Sequence, residues 1–317
     1  MRGSEESLIP GILAGNARAL GKAISLVESH DPRAAKLLAE IYPQTGRARI
    51  IGVTGSPGSG KSTLVASMAR RYRAQHKRVG VIAVDPTSPF TGGAILGDRI
   101  RMADLYTDPQ VFIRSMATRG FLGGLAKATN DAVDILDAAR FDVILVETVG
   151  VGQDEVEVVR TVQTNIVVLA PGMGDDIQAI KAGIMEIGDI FVVNKADRPG
   201  ADKTVTEVTM MMSLVEEHGD WVSPIVKTVA SKGEGVAELD EAIVRHYDYL
   251  VASGELDRRN RDRVRIRIET QLKERFMDRL IGGTIPRQEY EDLLEEVLHK
   301  RNNPHDAAES VLRRVTF

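Results

Sequence analysis

Cysteine is absent from all 317 residues, which excludes disulfides, thiolate metal sites and a cysteine nucleophile together. No apolar run of about 18 residues is present to span a membrane, and the opening "MRGSEESLIPG" lacks the continuous apolar core of a signal peptide. A cytoplasmic protein is the expectation. Charge of one sign is also scarce. Lys and Arg number 41 against 45 Asp and Glu, and the net charge of -4 argues against a chain built mainly to coat nucleic acid. The six histidines (His30, His76, His218, His246, His299 and His305) are scattered, with no H-x-H or H-x-x-x-H pair. Each reads as a surface or helix-end residue, and direct metal handling is not expected. Hydrophobic content of 43% is ample for a buried core.

Three zones separate by pattern. Residues 1–47 read as short helices, with Leu8, Ile9, Ile12 and Leu13 at helical spacing, a second helix after Asn16, and Asp31 capping a third before Pro32. From 48 to 254, the apolar runs "RIIGVTG", "RVGVIAVD", "VFIRSM", "FDVILVET", "TNIVVLAP", "DIFVVNKAD" and "PIVKTVAS" alternate with helical patterns. Several are apolar on both faces, as strands of a parallel sheet covered by helices are. The expectation is a doubly wound α/β domain with its ligand at the carboxyl ends of the strands. From 255 to 317 the strands stop. Val264, Ile268, Leu272, Phe276 and Leu280 recur every fourth residue as an apolar stripe on one long helix, "IGGTIP" breaks it, and Asn303 and Pro304 start a last short helix. This C-terminal zone is expected to be a homodimerisation arm.

"GSPGSGKST", residues 55–63, carries the first specific chemistry. It fits G-x-x-x-x-G-K-S/T between a strand and a helix, which is a nucleotide-binding P-loop. Gly55, Ser56, Pro57, Gly58, Ser59, Gly60, Lys61, Ser62 and Thr63 form a cradle whose backbone N–H groups face anionic oxygens at a helix N-terminus. Lys61 is assigned to the β- and γ-phosphates and Ser62 to Mg²⁺.

The base is read from "VVNKAD". Asn194, Lys195 and Asp197 form N-K-x-D after an apolar strand, over 130 residues beyond the P-loop. An Asp carboxylate there accepts from guanine N1–H and its exocyclic amine, a donor pair adenine does not offer. Lys195 lies along the ring face, and Asn194 ties this loop to the P-loop. Backbone N–H groups of Val229, Ala230 and Ser231 in "TVASKGEGV" are candidates for the guanine carbonyl. On the metal side, Glu147 of "VETVG" stands at a Walker-B position, Gly150 lets its N–H approach the γ-phosphate, and Asp85 and Asp98 are candidates for the metal's outer shell. No glutamine directly follows Gly150, so the water-positioning residue of Ras-like proteins is missing from its place.

"GSPGSGKST", "VDPTSPFTGGAILGDRIRM", "ETVGVGQ" and "APGMGDDIQAIKAGIMEIGDIFVVNKAD", with the helical extensions, resemble the methylmalonyl-CoA mutase-associated GTPases. This is the MeaB group, also called ArgK or LAO/AO transport ATPases, and the resemblance covers nearly the whole chain. It implies a homodimeric, Mg²⁺-dependent GTPase cycling between GTP and GDP. It also implies a partner, an adenosylcobalamin-dependent acyl-CoA mutase whose cofactor loading, protection and reactivation are gated by that cycle. Adenosylcobalamin is then held by the mutase rather than by this chain. Within "PGMGDDIQAIKAG", Lys181 is the candidate cation that partner docking brings to the transferring phosphoryl group. Two other readings compete. An energising ATPase for basic amino-acid uptake conflicts with N-K-x-D. A nucleic-acid-binding GTPase is prompted by "RRNRDRVRIR" at 258–267, yet Asp257, Asp262 and Glu269 lie four residues from Arg261, Arg258 and Arg265, as on a solvated, salt-bridged helix face.

Overall fold

The seven apolar runs fold as strands because β-branched residues are frequent in them, and the five inner strands find cover on both faces. They are β1 (Arg49–Gly55), β2 (Val79–Asp85), β3 (Val111–Ala117), β4 (Val143–Thr148), β5 (Thr164–Leu169), β6 (Ile190–Asn194) and β7 (Ile225–Thr228). A computed structural model describes residues 8–85, 102–117, 124–148, 162–172, 188–213, 220–281 and 283–314. The strands form one all-parallel sheet in the order β3-β2-β4-β1-β5-β6-β7, the helix-covered α/β architecture that the sequence predicts. Helices in chain order are α1 (Leu8–Leu13), α2 (Ala17–Glu28), α3 (Pro32–Ile41), α4 (Lys61–Ala74), α5 (Gly124–Ala138), α6 (Ala201–Met212), α7 (Val236–Ala252), α8 (Glu255–Leu280), α9 (Arg287–Leu298) and α10 (Pro304–Leu312). The chain divides into two compact units, Met1–Asp257 and Arg258–Phe317.

In the first unit, alternate residues of each strand feed different cores. Ile50, Ile82, Ile144 and Val146 point toward α5, and α1 to α3 pack over α5 in the same cluster. Ile51, Val53, Val81, Leu145, Ile166 and Val192 point the other way, toward α4 and α7. Helix α6 covers Val167, Leu169 and Phe191 through Val208 and Met211. Asn16 and Asp31 cap α2 and α3, their carbonyl and carboxylate oxygens accepting from the first-turn N–H groups. The strand that enters the site is tied down from behind. The Asp137 carboxylate, 1% exposed at the end of α5, accepts from the N–H groups of Gly46 (2.5 Å), Arg47 (3.1 Å) and Ala48 (3.0 Å).

The second unit is helical. Helix α8 ends where Ile281 bridges Ile285, and α10 starts under Asn303, which accepts from His305 and Asp306 N–H. Asp262 pairs with Arg258 at 3.7 Å and Arg265 at 2.9 Å, and Arg314 bonds Glu289 between α10 and α9.

Candidate nucleotide site

Strand β1 delivers the chain to the phosphate loop at the middle of the sheet, between β4 and β5. Gly55 has φ 137°, and a Cβ there would lie 2.1 Å from the Val168 carbonyl of β5, so only glycine lets the loop leave this close to its neighbour. Gly60 has φ 97°, and its Cβ would lie 2.4 Å from Asn194 Nδ2. Lys61 opens α4 and is buried. Its ammonium turns back over the loop and donates to the carbonyls of Gly55 (2.7 Å) and Ser56 (3.0 Å). Ser56 and Ser59 are buried, Pro57 and Gly58 are exposed, and Ser62 and Thr63 are half-buried.

Parallel pairing sets Val53 opposite Glu147, which brings that carboxylate level with the loop. Glu147 is 3% exposed and its Oε1 accepts from the Ser62 hydroxyl at 2.6 Å. One step further along the strands, the Thr148 and Thr54 hydroxyls meet at 3.0 Å. Asp85 closes β2, whose Ala83 is the register partner of Glu147, so both acids stand at the carboxyl edge of adjacent strands. Among the described residues no three His, Asp or Glu side chains gather as a metal cage.

The base side is built by two loops that share one amide. Asn194, at the end of β6, donates from Nδ2 to the Ser59 carbonyl (2.9 Å) and accepts at Oδ1 from Thr228 Oγ1 and Ala230 N–H, each 3.1 Å. Lys195 sits at φ 56° and donates to the Gly58 carbonyl at 2.6 Å. Asp197 stands half-exposed at the rim, with Lys232 Nζ 3.5 Å from its Oδ2. One expectation needs correcting. The Val229 N–H donates to the Glu234 carbonyl and the Ala230 N–H to Asn194, so of the three donors offered to the guanine carbonyl only Ser231's is not spent in these bonds.

The helices behind the two loops are braced together. Asp240 on α7 accepts from Arg71 Nε (2.9 Å) and Gln75 Nε2 (2.6 Å) of α4, and the buried Tyr72 hydroxyl bonds it too. Burial first, and then the Asp240 charge, push that phenol above its ordinary pKa range. The phosphate helix and the base helix are therefore joined by polar contacts as well as by apolar packing.

Residues 20–284 match the family described as methylmalonyl-CoA mutase-associated GTPase MeaB. The chain belongs to the MeaB family of GTPases. A Pyrococcus horikoshii protein carrying the name GTPase is 50% identical over 98% of each chain. A Caenorhabditis elegans protein named methylmalonic aciduria type A homolog, mitochondrial, is 33% identical over 86% of this chain and 73% of its own. A solved LAO/AO transport system kinase is 28% identical, covers 99% of both chains and superposes with a TM-score of 0.71. GTP hydrolysis is thus the activity of this fold in its MeaB form.

The structure brings together the P-loop, Ser62, Glu147, Asn194, Lys195, Asp197 and residues 229–231 of this MeaB-family chain. Asp98, Gly150 and Lys181 lie outside the described residues, as does the Asp85 side chain. Two polar centres escaped the sequence reading. Asp137 carries no motif. His246, expected at a surface or helix end, is instead fully buried in α7, its Nδ1 2.9 Å from Thr164 Oγ1 and its Nε2 3.3 Å from Asp189 Oδ1. The Trp221 ring lies tilted against that of His246, centroids 4.8 Å apart, and its indole N–H donates to the Asp189 carbonyl, securing the residue before β6. A signal was present: His246 falls on the apolar face defined by Leu239, Ala242, Ile243 and Leu250.

Proposed function

We propose that this GTPase escorts an adenosylcobalamin-dependent acyl-CoA mutase, methylmalonyl-CoA mutase first among the candidates, and that its GTP cycle gates loading, protection and reactivation of the mutase. The observation that carries the reading is the match of residues 20–284 to a family described by its association with that mutase. The guanine-type base loop argues for this class over an ATP-driven transport accessory.

In this reading the 55–63 loop wraps the phosphates, and Lys61 exchanges the carbonyls of Gly55 and Ser56 for the β- and γ-oxygens. The ammonium is hydrogen-bonded before and after, so binding does not strand a buried charge. Ser62 and Glu147 present hard oxygen donors 2.6 Å apart in a mostly buried corner, a set that suits Mg²⁺, with Asp85 and Asp98 as outer-shell candidates. When bound, that ion supplies neutralisation of the charge on the β- and γ-phosphate oxygens. Gly150 offers its N–H to the γ-phosphate. Asp197 accepts from the guanine edge, Lys195 lies along the ring, Asn194 holds the loops together and Ser231 N–H meets the carbonyl.

Adenosylcobalamin stays with the mutase. The exposed α8 residues Val264, Ile268, Leu272 and Phe276 form the seam of a homodimer. Lys181, brought in by docking, completes the transition-state charge, an effect worth on the order of 10³-fold in comparable phosphoryl transfers. The test is GTP turnover with and without methylmalonyl-, ethylmalonyl- and isobutyryl-CoA mutase. One of them should accelerate the wild type, and Lys181→Ala should lose that acceleration. Absence of stimulation by any mutase overturns the escort reading, and full stimulation of Lys181→Ala removes Lys181 from it.

A further inference from the structure

We infer that Lys232 is a specificity-positioning residue, which sets the plane of the Asp197 carboxylate so that both oxygens face the edge of guanine; the inference rests on the guanine reading above. The last torsion of an aspartate is broad and roughly two-fold, so its rotamer preference alone does not fix which way the two oxygens lie. Bidentate acceptance from N1–H and the 2-amino group needs that plane fixed. The backbones on either side are already fixed. Ala196 N–H donates to the Thr228 carbonyl (3.0 Å) and Arg198 N–H to Lys195 (3.0 Å), which holds the chain around Asp197.

Across from it, Lys232 N–H donates to the Val229 carbonyl (2.9 Å), and Val229 N–H to Glu234 (3.0 Å), closing a tight turn with Lys232 at its tip. Gly235 returns that turn so closely that a Cβ would lie 2.1 Å from the Lys227 carbonyl. From this braced tip the Lys232 ammonium reaches to 3.5 Å from Asp197 Oδ2. On the interior side the same two loops are joined by Asn194 through Thr228 and Ala230. Lys232 and Asp197 join them at the solvent rim, beside the base edge. A carboxylate oxygen has more than one lone-pair direction, so the ammonium can stay on the outer side of Oδ2 while guanine takes the inner side.

Inosine separates this role from general loop bracing, because it has N1–H but no 2-amino group and engages one carboxylate oxygen. The experiment measures equilibrium binding of GTP, ITP and ATP to the full chain and to Lys232→Ala and Lys232→Arg. An exposed ion pair has a modest effect, so Lys232→Ala should weaken GTP about fivefold and ITP less than about twofold. The GTP-to-ITP preference should recover in Lys232→Arg, and it should shrink in the wild type at about 1 M salt, where charges at the rim are screened. Equal losses for GTP and ITP would reduce Lys232 to a loop brace and overturn the inference, as would unchanged or tighter GTP binding. A wild type that does not prefer GTP over ATP would instead bring down the guanine reading itself.

Discussion

Helices α7 and α8 follow one another in the chain and both carry regularly spaced apolar residues, yet those residues meet different ends. On α7, Val236, Leu239, Ala242, Ile243 and Leu250 are all buried, the first four in the core that lines β1, β4, β5 and β6. On α8, Val264, Ile268, Leu272 and Phe276 are 40%, 55%, 62% and 38% exposed, and only Leu280 is buried. Spacing explains part of the contrast. The α7 residues step by three and four, which keeps them on one face of a 3.6-residue helix. A strict step of four drifts by about 40° each time, so the α8 stripe winds about 160° around its helix between Val264 and Leu280. No straight neighbour covers it all. Periodicity thus reports that a face is apolar without reporting what covers it. The first unit satisfies its pattern internally, whereas most of the α8 stripe stays exposed, the pattern that the proposed seam would cover.

The largest expected effect tests the self-sufficiency of the first unit. Lys61→Ala removes the one P-loop ammonium assigned to the β- and γ-oxygens, and GTP turnover should fall by at least about 10³-fold. The carbonyls of Gly55 and Ser56 also lose a donor, so thermal melts must accompany the assay to show that the variant is folded. Dimerisation should not change. Turnover near the wild-type value in folded Lys61→Ala would break the phosphate assignment.

The next effect addresses the second unit. Paired substitutions Ile268→Asp and Leu272→Asp place two carboxylates on the most exposed part of the stripe. If the stripe is the seam, each charge would be desolvated without a partner, and the dimer dissociation constant should rise by about 100-fold or more. Sedimentation at several concentrations reads this directly. GTP affinity should stay as in the wild type, since α4, α7 and their loops are untouched. A variant that stays dimeric at low concentration would show that α8 is not the seam, and a loss of GTP binding would erase the division of labour between the units.

The same contrast separates what the sequence discloses from what it hides. Strands such as "RIIGVTG" could be located because apolar residues on both faces have few alternatives to a covered parallel sheet. Asn16, Asp31 and Asn303 could be placed as caps because capping is a local contact between near neighbours. The P-loop and N-K-x-D were legible because backbone geometry around phosphate and base fixes residue types at fixed spacing. The order in which strands lie side by side is not local, and neither is the contact of His246 with Thr164, 82 residues away. Backbone donors pose the same difficulty. Nothing in "TVASKGEGV" says that Val229 and Ala230 already spend their N–H groups on Glu234 and Asn194. The pairing of Lys232 with Asp197 is hidden for a related reason, since the two lie on different loops.

The smallest effect probes how the N-terminal helices are joined to the sheet, where the first unit has a polar tie to match its apolar packing. Asp137 gathers three backbone N–H groups from residues 46–48, the link between α3 and β1, at a site 1% exposed. Removing the carboxylate leaves those donors without an acceptor, but the link lies near the surface on the Arg47 side, so water can replace part of what is lost. Asp137→Ala should therefore destabilise the chain by about 2 kcal/mol, toward the middle of the range for orphaned buried donors. Asp137→Asn, which keeps one carbonyl oxygen, should lose less, and the ordering of the two variants is itself a check on the hydrogen-bond account. Urea midpoints at neutral pH measure the difference. Turnover per folded molecule should match the wild type, because the tie lies at the amino end of β1 and the phosphate loop at its carboxyl end. Equal midpoints for wild type and Asp137→Ala would mean that apolar packing of α1 to α3 against α5 alone secures the N-terminal helices.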